Sequence, residues 1–152
     1  MKLPLILSAC LLGLVASGCS DGKEDLSQDR LKSMAGGELK EVVPVKGIVN
    51  VDGSPTEGVN LYLFRDGEFG NWVRECRTDF EGKYCWSTNL NCDGVEPGNY
   101  LVAFTYVPKL KKNDSGVDLF KKKYQNAKKN DFKLTVATGA PQEAMNYDLK
   151  SK

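Results

Sequence analysis

From Val43 onward, apolar and polar positions alternate along most of the chain. Val45, Val49 and Val51 are interleaved with polar or small residues, the period-two pattern of a half-buried strand. Asp52-Gly53 follows as a turn, because glycine accepts positive φ and aspartate can bond its own backbone. Past Gly58 the alternation resumes at Val59, Leu61 and Leu63, so Val45 to Leu63 predicts a hairpin-like corner that fixes which face is core. Further strands are expected near residues 72–78, 83–88, 100–107, 132–137 and 145–149, which with 43–51 and 59–64 makes seven. Asp79-Phe80-Glu81-Gly82 reads as a tight reversal into a strand that carries Tyr84 and Trp86 on one face. A loop ending on Pro97-Gly98 leads into the run Tyr100, Val102, Phe104, Tyr106. Short strands punctuated by Gly, Pro, Asn and Asp predict an all-β sandwich.

The first residues follow a different rule. Met1-Lys2 is succeeded by an apolar run from Leu3 to Ala16 and then by Ser17-Gly18-Cys19. A basic start, a short apolar core and small residues before a cleavage point predict a signal peptide over residues 1–18. Val15-Ala16-Ser17-Gly18-Cys19 resembles a bacterial lipobox, although Ala16 stands where leucine is usual. That resemblance implies cleavage before Cys19 and acylation of its sulfur and amine. Each buried methylene of such chains contributes about 0.8 kcal/mol, so several chains hold a protein firmly on a membrane. Residues 19–42 are polar, with at most a short helix over Leu26 to Met34, and predict a flexible tether spanning roughly 25 Å.

Composition narrows the chemistry. One domain plus accessory segments is expected for 152 residues. The chain contains no histidine, which removes the commonest general base and the commonest metal ligand. Removal of the signal leaves 20 basic and 20 acidic residues, so no global field favours nucleic acid.

Three patterns in order carry a family resemblance. They are Val45-x-Gly47-x-Val49-x-x-Asp52-Gly53-x-Pro55-x-x-Gly58-Val59-x-Leu61, then Thr78-Asp79-x-x-Gly82-x-Tyr84, then Pro97-Gly98-x-Tyr100-x-Val102. Together they resemble the carboxypeptidase regulatory-like (transthyretin-like, prealbumin-like) domain over about residues 43–150. The whole chain is similar to small planctomycete lipoproteins of that type, which carry a lysine-rich Leu-x-x-x-Tyr segment like Leu119 to Tyr124 before the last strands. The resemblance implies a seven-stranded Greek-key sandwich, with Asp52, Gly53, Asp79, Gly82, Pro97 and Gly98 as turn residues. It implies no activity.

Cysteines, glycine-flanked acids and a lysine-rich run carry the remaining candidate chemistry. Cys76, Cys85 and Cys92 suit an exported compartment that permits disulfides, with one thiol left over. Cys76 and Cys85 are symmetric about Phe80-Glu81 and are the expected pair across a hairpin, with Cys92 as the alternative partner. Asp52, Asp66, Asp79 and Asp93 each stand beside or near a glycine, and turn chemistry explains them without calcium or any other metal. Lys46 and Asn146 resemble the isopeptide pair of collagen-adhesin B-type domains, but no acid-containing motif accompanies them. Lys109 to Lys133 holds nine lysines and three acids, Asp114, Asp118 and Asp131. It reads as a solvated insertion, residues 108–131, in which Phe120, Tyr124 and Phe132 anchor to the sandwich edge and through which an anionic surface could be met.

These readings lead to an expectation of a monomeric, lipid-anchored, non-enzymatic domain of the bacterial cell envelope, on its periplasmic or surface side. Cys19 carries the lipid, no cofactor is expected, and the partners are a membrane and an envelope protein or polysaccharide, not nucleic acid. A carbohydrate-binding module is the alternative, for which Trp72, Trp86 and Tyr106 would form an exposed row. A transthyretin-like hydrolase is the weaker rival, since that activity depends on histidines and a C-terminal Tyr-Arg-Gly-Ser, where this chain reads Asp148-Leu149-Lys150-Ser151-Lys152.

Overall fold

A computed structural model of the chain describes residues 27–68, 70–108 and 116–151. The signal segment 1–18, Cys19, the first part of the tether and Lys109 to Ser115 lie outside the described residues. The described chain is mostly strand, in two sheets, with one short helix.

The helix, α1, runs Gln28–Ala35. Ser27 caps it, its side chain accepting from the Arg30 amide at 3.4 Å, and Gly36 ends it in the left-handed region at φ 74°. Met34 stays exposed, so α1 buries little.

The first sheet is built on β1 (Lys46–Val51). Asp52 and Gly53 both take positive φ (54° and 88°), the combination that a two-residue hairpin turn needs, and bring the two-residue β2 (Ser54–Pro55) back along β1. The same edge of β1 then pairs with β5 (Lys83–Cys85), with Gly47 opposite Tyr84. The opposite edge takes the C-terminal β8 (Tyr147–Leu149) in parallel, Val49 opposite Tyr147. Glycine at 47 is dictated by that neighbour: a Cβ there would stand 2.1 Å from the Met145 carbonyl oxygen.

The second sheet has the order β4-β3-β6-β7. Its centre is the antiparallel pair of β3 (Val59–Arg65) and β6 (Gly98–Tyr106), joined over seven residue pairs from Val59↔Tyr106 to Arg65↔Tyr100. β4 (Arg74–Arg77) flanks β3, and β7 (Lys133–Val136) flanks β6. The chain crosses between sheets from β2 to β3, β4 to β5, β5 to β6 and β7 to β8. Among the described residues the strands therefore number eight, the addition to the expected seven being β2.

Between the sheets lies one core. Val49, Tyr84, Trp86, Tyr147 and Leu149 from the first meet Leu61, Leu63, Val102, Phe104 and Leu134 from the second. Trp86 and Phe104 are fully buried, and truncating either to alanine in such a setting costs about 3–5 kcal/mol. An aromatic edge ties the layers together, Phe104 meeting Tyr147 at 5.0 Å, and within the first layer Tyr84 meets Trp86 at 5.9 Å.

Two expectations need correction here. The reversal Asp79 to Gly82 does not make a hairpin of one sheet. β4 pairs with β3, placing Cys76 opposite Leu61, whereas β5 pairs with β1, placing Cys85 opposite Lys46. The turn is a corner between sheets, so Cys76 and Cys85 are not cross-strand neighbours and do not bond. Cys85 is joined instead to Cys92, with Cα atoms 5.2 Å apart, and Cys76 is a free thiol.

Candidate binding site

The turn residues build the frame around the surfaces. Asp79 Oδ1 accepts from the amides of Glu81 and Lys83, both at 2.9 Å, and Gly82 sits at φ 72° with Thr56 N 2.6 Å from where a Cβ would be. Asp93 closes the disulfide loop, accepting from Thr88 N at 2.7 Å, Asn89 N at 2.9 Å and Leu90 N at 3.0 Å. Asp52 binds Ser151 through its backbone amide and its hydroxyl. Pro97-Gly98 opens β6, with Gly98 opposite Val136 and the Tyr100 hydroxyl donating to the Glu96 carbonyl at 2.7 Å. These acids serve turns. Among the described residues no group of three or more His, Cys, Asp or Glu side chains could hold a metal ion.

The aromatic row for sugars does not form. Trp86 is fully buried, while Trp72 is 48% exposed and packs its edge on Tyr62 at 5.2 Å. Lys46 and Asn146 are also engaged separately. The Lys46 ammonium pairs with Glu143 at 2.8 Å, and Asn146 Oδ1 accepts from the Ile48 amide at 2.9 Å.

One concavity, of about 590 Å³, lies where edge strands β4 and β5 part, and Cys76, Cys85 and Cys92 all line it. Burial pushes the Cys76 thiol well up from its ordinary value, with the Glu75 carboxylate adding to the effect. A thiol held protonated is a poor nucleophile. Beside it, burial raises the Tyr84 hydroxyl strongly, reinforced by Tyr147, and pushes Tyr147 up to about 12.

A second concavity is different in kind. The outer face of the β3–β6 pair carries Tyr62, Phe64, Leu101 and Ala103, and Ala127 packs onto it. Ala127 belongs to the lysine-rich segment, which is strapped to β6 through Leu119 N to Tyr106 O, Phe104 N to Tyr124 O and Val102 N to Phe132 O. Asp118 pins the start of the strap, accepting from Tyr106 N at 2.9 Å, Phe120 N at 3.1 Å and Lys122 N at 2.9 Å. Phe120 turns inward against Tyr106 and Tyr124, and Tyr124 against Phe104 and Phe132, so the segment is anchored while Lys121, Lys122, Lys123, Lys128 and Lys129 face out.

Between this strap and the turn after β3 runs a trough of two adjoining cavities, about 460 and 320 Å³. They share Leu101, Ala127 and Lys128. Its walls hold four cations, Arg65, Lys122, Lys128 and Lys133, against two carboxylates, Asp66 and Glu68. Glu68 stands 3.9 Å from Arg65, whose other arm is held by Glu96 at 3.0 Å.

The sequence singled out the lysines but not the floor. The available signal was the unbroken apolar run Leu101-Val102-Ala103-Phe104, which announces a strand covered on both faces.

No family model matches the chain, and no curated protein does. Among solved structures the chain is similar to a 9R-lipoxygenase from Cyanothece PCC8801, at 10% identity and a TM-score of 0.32. That match covers 81% of this chain and spans 20% of the lipoxygenase chain.

Proposed function

We propose that the chain is a lipid-anchored protein of the bacterial cell envelope, whose carboxypeptidase regulatory-like, transthyretin-like sandwich works by binding and not by catalysis. Among the described residues, seven strands of three or more residues, divided between two sheets with repeated crossings, support the Greek-key form of that fold.

One observation carries the reading: the segment that leads from Cys19 into the domain is clamped as it arrives. Lys40 N donates to Asn89 Oδ1 and Asn89 Nδ2 returns the bond to Lys40 O, both at 2.9 Å. Val43 then bridges Val95. Asn89 lies within the loop closed by the Cys85–Cys92 disulfide, so the point where an anchored chain would pull on the sandwich is cross-linked. Such an attachment holds the domain against a membrane-bound end and leaves the trough, on the outer face of the other sheet, as its binding surface.

The test is expression in a bacterial host with a palmitate analogue, followed by membrane fractionation. Wild type is expected to be labelled and membrane-bound, and Cys19→Ala unlabelled. Equal labelling and equal membrane retention of Cys19→Ala would refute the anchor.

A further inference from the structure

We propose that the trough between the outer face of β3–β6 and the lysine-rich strap binds an acidic polysaccharide, a polymer of uronate or similarly anionic sugar units. This deepens the binding reading above and rests on it.

Three features of the trough select that ligand. The floor is apolar: Phe64, Leu101 and Ala127 offer a surface suited to the C–H face of a sugar ring. The walls carry exposed ammonium groups at Lys122, Lys128 and Lys133, and with Arg65 these cations outnumber the carboxylates of Asp66 and Glu68. A net positive lining attracts a chain that bears a carboxylate on each unit, and charge complementarity of this sort governs capture and register. Exposed amides complete the set. Gln125 and Asn126 line the same cavity, and amides pair with hydroxyl groups as both donors and acceptors.

Competing anionic partners fit less well. Nucleic acid binding without sequence preference uses aromatic faces for base stacking. Among the described residues the trough is lined by one aromatic ring, that of Phe64, too few for a run of stacked bases, and the strap's Phe120 and Tyr124 are buried in the core. A lipid surface would meet the outward lysines but not the recessed floor, whereas a single polymer chain reaches both.

The protein for the test is the whole chain purified in detergent, titrated calorimetrically with four probes of known charge: oligogalacturonate, neutral dextran, polyglutamate and polyuridylate. Phosphatidylglycerol vesicles are tested separately by flotation, using the chain from Ser20 onward so that neither the signal segment nor a lipid contributes. The proposal expects oligogalacturonate to bind most tightly and dextran not at all. Lys122→Gln/Lys128→Gln/Lys133→Gln should weaken that binding by about tenfold or more, while Lys32→Gln/Lys83→Gln/Lys150→Gln, with equal loss of charge elsewhere, should weaken it less than about twofold. Gln125→Ala should weaken oligogalacturonate without changing polyglutamate binding.

The proposal is overturned if oligogalacturonate does not bind, if polyglutamate, polyuridylate or the vesicles bind as tightly, or if both triple variants lose affinity equally. Melting curves of both triple variants establish that they are folded. Palmitate labelling is independent of the titration, so failure of the anchor and failure of the trough are separately visible.

Discussion

Gly94 and Gly139 form a natural pair for testing whether the domain is closed as described. Their backbones have nearly the same φ, 111° and 114°, a region that side chains rarely adopt. Alanine at either position therefore carries a similar conformational strain, about 1–3 kcal/mol. The surroundings differ. A Cβ at Gly139 meets nothing within 4 Å, whereas one at Gly94 would stand 1.9 Å from the Val43 carbonyl oxygen and 2.6 Å from Pro44 N. Relief requires the Val43–Val95 bridge to part, with its hydrogen bonds of 2.9 and 3.1 Å. Two such bonds are worth about 1–3 kcal/mol net, and the residual overpacking adds about 1–3 kcal/mol. Gly94→Ala should therefore be less stable than Gly139→Ala by about 2–6 kcal/mol, a difference in melting temperature on the order of 10 °C or more. Thermal melts and urea titrations of both variants measure it. Hydrogen exchange should localise the damage to the Val43 and Val95 amides. If the two variants melt within about 2 °C of each other, the approach of the incoming chain to the disulfide loop is not as described.

Three further predictions follow from the same geometry. Cys85→Ser opens a short disulfide loop and should cost about 2–3 kcal/mol in the chain-entropy account, and non-reducing peptide mapping of wild type should recover Cys85 with Cys92 and leave Cys76 alkylatable after unfolding. Stability should fall at alkaline pH: unfolded tyrosines release protons above about pH 10 while buried Tyr84 and Tyr147 keep theirs, so the folded state binds more protons and Tyr147 alone loses about 2–3 kcal/mol between pH 10 and 12, readable from urea midpoints across that window. Asp118→Ala should loosen the strap, costing about 1–3 kcal/mol and exposing residues 116–132 to limited proteolysis, whereas Lys121→Gln/Lys122→Gln/Lys123→Gln should shift stability by less than about 1 kcal/mol, because those side chains are exposed.

The parts of this fold legible in the sequence are those written in local periodicity. Val45 to Leu63 declared its alternation and its Asp52-Gly53 turn, and both are present where the pattern put them. Tyr84 and Trp86 were placed on one inward face, and both are buried. What local pattern does not carry is the choice of partner strand. Asp79 to Gly82 has the composition of a hairpin turn, yet Gly82 packs against Pro55 and Thr56, which draws β5 onto β1 and away from β4. That single topological choice moved the disulfide from Cys76–Cys85 to Cys85–Cys92. The trough was half legible for a related reason. Its lysines come from one lysine-rich segment of the sequence, but Arg65 and Leu101 reach it only through the β3–β6 register and the strap laid over it.

The central claim is that this sandwich is held to a membrane through Cys19. Intact-mass spectrometry of the protein extracted in detergent from a bacterial host tests it most directly. The account predicts a chain that begins at Cys19 and carries the added mass of a diacylglyceryl group and an amide-linked acyl chain. A mass matching an unlipidated chain, or one beginning at any other residue, would contradict it.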